Sequence, residues 1–259
     1  MSKKRSTPPC VFCGSKDAQS TEHVVPKWAR KALQIDNPVK EYSGTAYVGA
    51  AETLAITFHE VCVSCNTGWM GALETAVRPV LEPLLLGATP GSSLELDPDQ
   101  QAVLATWAVK TSLLLVLSKL RGQPHGWVPA STLQWLYQHH DSRMPPPGTR
   151  VWMGGLNTSD TPAWLRSACL YDASGQPNAQ CVTFSVGCVL FQVFSCEQRD
   201  AALSPDIEAW LAPADPYTTA LLQITPSSSA LRWPPSAVFN VGDLDDLAGR
   251  LRQGLPLRT

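Results

Sequence analysis

Two Cys-x2-Cys pairs, Cys10–Cys13 and Cys62–Cys65, constrain this 259-residue chain more than any other feature. Each pair presents two sulfurs from one tight turn, and four thiolates at this spacing can close a tetrahedral zinc shell. Between the pairs lies Glu22-His23, and Asn66 follows the last cysteine at once. Closing the shell would draw Glu22, His23 and Asn66 close together although they are far apart in sequence. A unit of this size has too little core to fold alone, and metal binding can supply the missing stability. A closed four-thiolate shell is structural in itself and confers no activity. No apolar stretch of the secretory type follows Met1, so a reducing cytoplasm is the expected setting. There, paired cysteine motifs point to metal rather than to disulfides.

Composition narrows the partners. Apolar residues make up 44% of the chain, enough to bury the core of one large domain or two modest ones. Charged residues are 16% and the net charge is −2, which excludes a globally basic coat for nucleic acid. Any attraction to phosphate must be local. Ser2-Lys3-Lys4-Arg5, Lys16, Lys27, Arg30 and Lys31 are either such contacts or a solvated surface. The longest apolar run, Leu113–Leu117, is far too short to span a bilayer, and no membrane partner is expected.

Along the chain, residues 1–9 read as a disordered basic tail. Gly14 can supply the positive φ that a metal-binding turn needs after its second cysteine. Residues 15–24 read as extended, and Pro26 opens a helix to about Leu33. Two strands are expected within 40–61. The second knuckle then runs into a helix through Leu84, which Pro79 and Pro83 should kink or segment. A linker at 89–93 separates a unit at 10–88 from one at 95–259. Asp97-Pro98-Asp99-Gln100 announces a buried helix over 98–120. A helix at 130–139 follows, then a strand at 150–156, a hairpin over 181–194 about Gly187, a strand at 219–225 and a short helix at 243–251. The class is α+β. Cys169, Cys181, Cys188 and Cys196 lack ligand spacing and read as core thiols. Lys110, inside the apolar helix, must snorkel outwards or pair with an acid.

Several side chains could carry chemistry. His23 suits proton transfer near neutral pH, and Glu22 beside it could ligate a hard metal ion. The pair could equally be a surface histidine beside an acid that caps the next helix. The Asn66 amide is a neutral oxygen ligand of the kind Mg2+ accepts, and Asn is also a good helix N-cap. Glu74 could approach the metal or face solvent. His59 is a further candidate base or ligand, or a half-buried strand histidine. Trp69 reads as packing between helix and knuckles, with base stacking as the alternative.

This order of motifs resembles the HNH endonuclease family, the ββα-metal nucleases: Cys-x2-Cys, Glu-His followed by a proline, then Cys-x2-Cys-Asn at a helix start. EHVVPKW together with VCVSCNTGWMGALE is similar to a bacterial and phage branch, and LATWAVKTSLLL looks like that branch's accessory region. The resemblance covers residues 10–78 best. It implies an N-terminal zinc-stapled ββα-metal (treble-clef-like) nuclease unit, followed by a helical segment and a β-rich C-terminal region. It also implies His23 as general base, Glu22 and Asn66 as ligands of catalytic Mg2+ or Mn2+, and the four cysteines as ligands of structural Zn2+. DNA is then the substrate, cleaved to 5′-phosphate and 3′-hydroxyl ends, with Lys27, Arg30 and Lys31 as backbone contacts. One position departs: Thr57 stands where the family has a middle asparagine, with His59 nearby, so that role is unassigned. A zinc-stapled module that binds nucleic acid or protein without catalysis, or a toxin-type nuclease acting on RNA, are the alternatives.

Overall fold

The computed structural model describes residues 8–34, 39–43, 46–51, 55–87, 93–123, 126–157, 165–171, 174–197, 219–227, 229–240, 242–244 and 247. The expected basic tail up to Thr7, the expected linker at 89–93 except its last residue, and most of the expected helix at 243–251 lie outside them. Among the described residues the fold is mixed α and β, as the sequence pattern suggests.

The first knuckle turns on Gly14, which takes φ +72 while its amide donates to the Cys10 carbonyl at 2.9 Å. Strand β1 (Gln19–His23) leaves it and pairs antiparallel with β4 (Thr57–Cys62). The ladder slips between Ser20 and Glu22, so Gln19 faces Cys62 and His23 faces Thr57. A bulge of this kind re-aims side chains near a strand end. Helix α1 (Lys27–Ala32) follows, with Pro26 as its N-cap residue rather than inside its first turn. Strands β2 (Val39–Ser43) and β3 (Ala46–Ala51) pair antiparallel and β4 follows them, so the stretch expected to hold two strands holds three among the described residues.

That knuckle is a short helix, α2 (Val63–Cys65), continued by a π-turn over Asn66–Met70 and by α3 (Gly71–Leu85). Pro79 and Pro83 lie within α3 without dividing it. Leu73, Val77, Leu81, Leu84 and Leu85 are buried along one stripe, and this packing outweighs the hydrogen bonds that the prolines cannot donate. Helix α4 (Pro98–Lys119) starts at a full capping box: the Asp97 carboxylate accepts from the Gln100 amide at 2.8 Å, and the Gln100 side chain accepts from the Asp97 amide at 3.0 Å. It is buried continuously from Leu104 to Val116. By length and composition it could cross a membrane, which the short Leu113–Leu117 run alone does not suggest, yet here it is the core.

A sheet covers the other side of α4. Its strands are β6 (Arg150–Leu156), β7 (Leu165–Tyr171), β8 (Pro177–Val186), β9 (Val189–Cys196) and β10 (Leu221–Thr225), in the order β10-β6-β9-β8-β7. The short strand β12 (Val238–Phe239) adds in parallel to the far end of β6. The β8–β9 hairpin turns at Gly187, as its sequence indicates. Strand β7 is not evident from sequence, nor is the pairing of β5 (Leu94–Leu96) with β11 (Leu231–Trp233). Helix α5 (Ala130–Gln138) packs against α4. Cys181 is fully buried and burial pushes its thiol up to about 12, whereas Cys188 and Cys196 are only half-buried.

One hydrophobic cluster runs without a break from Cys10 and Phe12 through Val77 and Leu81, then Trp107 and Leu113, to Phe184 and Phe191. The hairpin turn at Gly187 seats on the end of α3, where the Cys188 amide donates to the Leu85 carbonyl at 3.2 Å. A Cβ at Gly187 would fall 2.6 Å from that carbonyl oxygen. Because the core is shared, Leu113→Ala should lower the unfolding free energy by about 2–5 kcal/mol. Urea unfolding followed by tryptophan fluorescence and by far-UV circular dichroism should show one coincident transition, displaced to lower urea.

Candidate metal centre and the adjoining charged site

The four sulfurs of Cys10, Cys13, Cys62 and Cys65 all lie within 4.8 Å of one another. Cys13 and Cys62 are 3.6 Å apart, close to the edge of about 3.8 Å that a tetrahedron with zinc–sulfur bonds of about 2.3 Å requires. The donor set therefore fits Zn2+. Local structure builds it. The Cys10 amide donates to the Ser15 carbonyl and the Val11 amide to the Glu60 carbonyl, which ties the first knuckle to β4. The Cys65 amide donates to Cys62 Sγ at 3.4 Å, so a helix start faces a sulfur that is an anion when it binds metal. Trp69 packs edge-on to Phe12 with centroids 5.1 Å apart, as core between helix and knuckle.

The sulfurs do not share one acidity. Burial pushes Cys10 up, but backbone hydrogen bonds from Cys13, Cys62 and Phe12 outweigh it and bring the thiol down to about 7. Burial raises Cys13 and Cys65. Without metal, one sulfur ionises readily and these two resist, so metal binding must expel their protons. Zinc affinity should climb steeply between about pH 6 and pH 8. Competition with a chromogenic chelator measures it, and a flat profile would speak against thiolate ligation. Cys65→Ser should lose the metal.

No hydrogen bond joins Glu22, His23 and Asn66 directly to one another. Successive strand residues face opposite sides. Glu22 faces inwards, 3% exposed, and its Oε1 accepts from Lys110 Nζ of α4 at 3.1 Å. The same ammonium donates to Glu74 Oε1 at 3.3 Å. Lys110 does not snorkel: it is wholly buried and pairs with two acids. Burial alone would push its ammonium down, but the two carboxylates more than offset this and hold it above the ordinary lysine value. Glu74 is half-buried in this pair rather than facing solvent, and burial raises its carboxyl against the opposing pull of Lys110.

Asn66 gives its amide nitrogen to Ser20 Oγ at 2.8 Å and to the Thr21 carbonyl at 3.4 Å. It thereby ties the helix start to β1, and its amide oxygen is the atom left over. It does not cap its helix; Cys62 holds that position. His59 is exposed rather than half-buried, with Nδ1 3.4 Å from Thr21 Oγ1.

Half-buried His23 is lowered from 6.5, first by burial and then by the nearby charges of Lys27 and Arg30, with Glu22 pulling the other way. The imidazole is therefore largely neutral at pH 7. In the metal-free protein, an NMR titration should give His23 a midpoint below 6.5, and Lys27→Ala should move it upwards.

Lys27 and Lys31 are exposed on α1 and Arg30 is half-buried beside them. A cleft of about 390 Å³ lies between α1 and α3, lined by Trp28, Glu74, Thr75, Arg78 and Glu82. The Arg78 guanidinium sits 5.7 Å from the centre of the Trp28 ring. Nothing in the local sequence marks this cleft, because helix packing creates it; the Trp28 and Arg78 periodicities alone give only an exposed face. No family model, curated protein or solved structure matches the chain.

Proposed function

We propose that the chain is an HNH-type endonuclease that hydrolyses DNA phosphodiester bonds with Mg2+ or Mn2+. One observation carries this reading: the strand ending in Glu22-His23 pairs with the strand that ends in the second knuckle, beside four clustered sulfurs and a helix start whose Asn66 is bonded back to that first strand. An antiparallel strand pair whose second strand leads into a helix, with a cluster of four sulfurs at that junction, supports the ββα-metal reading of the unit.

His23, neutral near pH 7, is suited to accept a proton from the attacking water. Glu22 and Asn66 would hold the ion through a carboxylate and an amide oxygen, the hard donors Mg2+ takes, with its other positions left to water and phosphate. Such an ion would offset charge on the phosphorane and on the departing 3′ oxygen. Lys27, Arg30 and Lys31 would contact backbone phosphates next to His23. Thr57 pairs with His23 across the ladder, so the position without the family's asparagine lies directly beside the base.

A second reading, a zinc-stapled binding module without catalysis, is favoured by the Glu22–Lys110 contact, since the carboxylate already has a counter-cation. A plasmid-nicking assay separates the two. With Mg2+ or Mn2+, the wild type should nick supercoiled DNA, and His23→Ala should lose about 10²–10⁴-fold in rate while keeping its zinc. No cleavage of DNA or of structured RNA by the wild type would favour the binding module. Cleavage of RNA alone would reassign the substrate.

A further inference from the structure

We propose that Lys110, carried on α4 outside the zinc-stapled unit, is a positioning residue that fixes how Glu22 meets a divalent cation. The proposal rests on the nuclease reading above. Three elements meet at one ammonium: β1 through Glu22 at 3.1 Å, α3 through Glu74 at 3.3 Å, and α4 through Lys110 itself. The two side chains of the closer pair are almost without solvent contact, at 0% and 4%.

Stability alone does not explain the residue. A buried ion pair is often no better than apolar packing of the same volume. Every other buried position of α4 from Leu104 to Val116 is uncharged, and an apolar residue at 110 would extend that core. What an apolar residue could not do is hold two carboxylates at chosen oxygens. Both contacts use Oε1, so each glutamate keeps a second oxygen that this ammonium does not occupy. The triad is open on one side, because Glu74 also lines the cleft between α1 and α3.

The charges fit that task. Two carboxylates and one ammonium leave a single negative charge, which attracts one cation without the repulsion of two bare acids. With the ammonium gone, the vacated position between the two Oε1 atoms becomes the strongest cation site nearby. An ion drawn there would bind more tightly and engage Glu22 through the wrong oxygen. Lys110 therefore trades affinity for geometry.

The full-length protein tests this with Mn2+ as the probe. Wild type, Lys110→Met and Lys110→Gln are compared for zinc content, Mn2+ affinity by electron paramagnetic resonance, and kcat and KM for plasmid nicking. The glutamine keeps one hydrogen-bond donor for the carboxylates and guards against loss of the fold. Lys110→Met should bind Mn2+ at least about tenfold more tightly, while kcat falls at least about a hundredfold and KM for DNA stays within about threefold. Lys110→Gln should fall between it and wild type. Cleavage within about fivefold of wild type at unchanged Mn2+ affinity in Lys110→Met, or in Lys110→Gln where the methionine variant does not fold, would overturn the proposal. So would loss of zinc and fold in both, since the lysine would then be only structural. A wild type that cleaves nothing defeats the nuclease reading by itself. In that case tighter Mn2+ binding by Lys110→Met still supports control of Glu22 by Lys110, and equal affinity overturns it.

Discussion

A helix with no polar face must be covered on every side, and α4 sets that demand for the whole molecule. Water cannot satisfy Leu104–Val116, so the chain wraps them with α3 from one direction and with β6, β8, β9 and β10 from another. Burial of this kind is non-directional and scales with apolar area, so it fixes that the halves meet without fixing how. Direction comes from the one charged residue in that span of α4, Lys110. The Lys110 ammonium is too costly to leave unpaired in such surroundings, and its contacts to Glu22 and Glu74 fix the rotation and height of α4 against β1 and α3.

The sulfur cluster solves a different problem. The first knuckle is a loop with little core of its own beyond Cys10 and Phe12, and the Val11 amide ties it to β4 through the Glu60 carbonyl. Four sulfurs within 4.8 Å of one another could hold a metal ion, and that ion would supply the cross-link that this segment lacks in apolar area. Gln19 at the start of β1 pairs with Cys62, so the cluster adjoins that end of the strand, and Glu22-His23 lies at its other end, across from Phe58 and Thr57.

Much of this was legible in the chain. Cys10, Cys13, Cys62 and Cys65 announce their cluster by spacing, because ligand chemistry is local to each pair. Asp97-Pro98 and Gln100 announce the start of α4 for the same reason. Pro79 and Pro83 mislead, since their local preference for a break yields to a leucine stripe packed on the core. Glu74 and Lys110 carry no mark of meeting. They are 36 positions apart, and only the docking of α4 brings them to 3.3 Å. The split between inward Glu22 and half-exposed His23 depends on a strand register that composition does not encode.

The turn at Gly187 carries a lesson about dissecting the molecule. Its neighbour Cys188 closes off the last carbonyl of α3, and a bare α-hydrogen is all that fits beside Leu85 and Leu33. Scissors applied in the stretch before α4 would respect the covalent chain and ignore this lid. The liberated N-terminal fragment would carry a raw helix end and an exposed leucine stripe. Fragments of this protein are therefore poor proxies for the intact chain, and assays on them would report the wound as much as the parent.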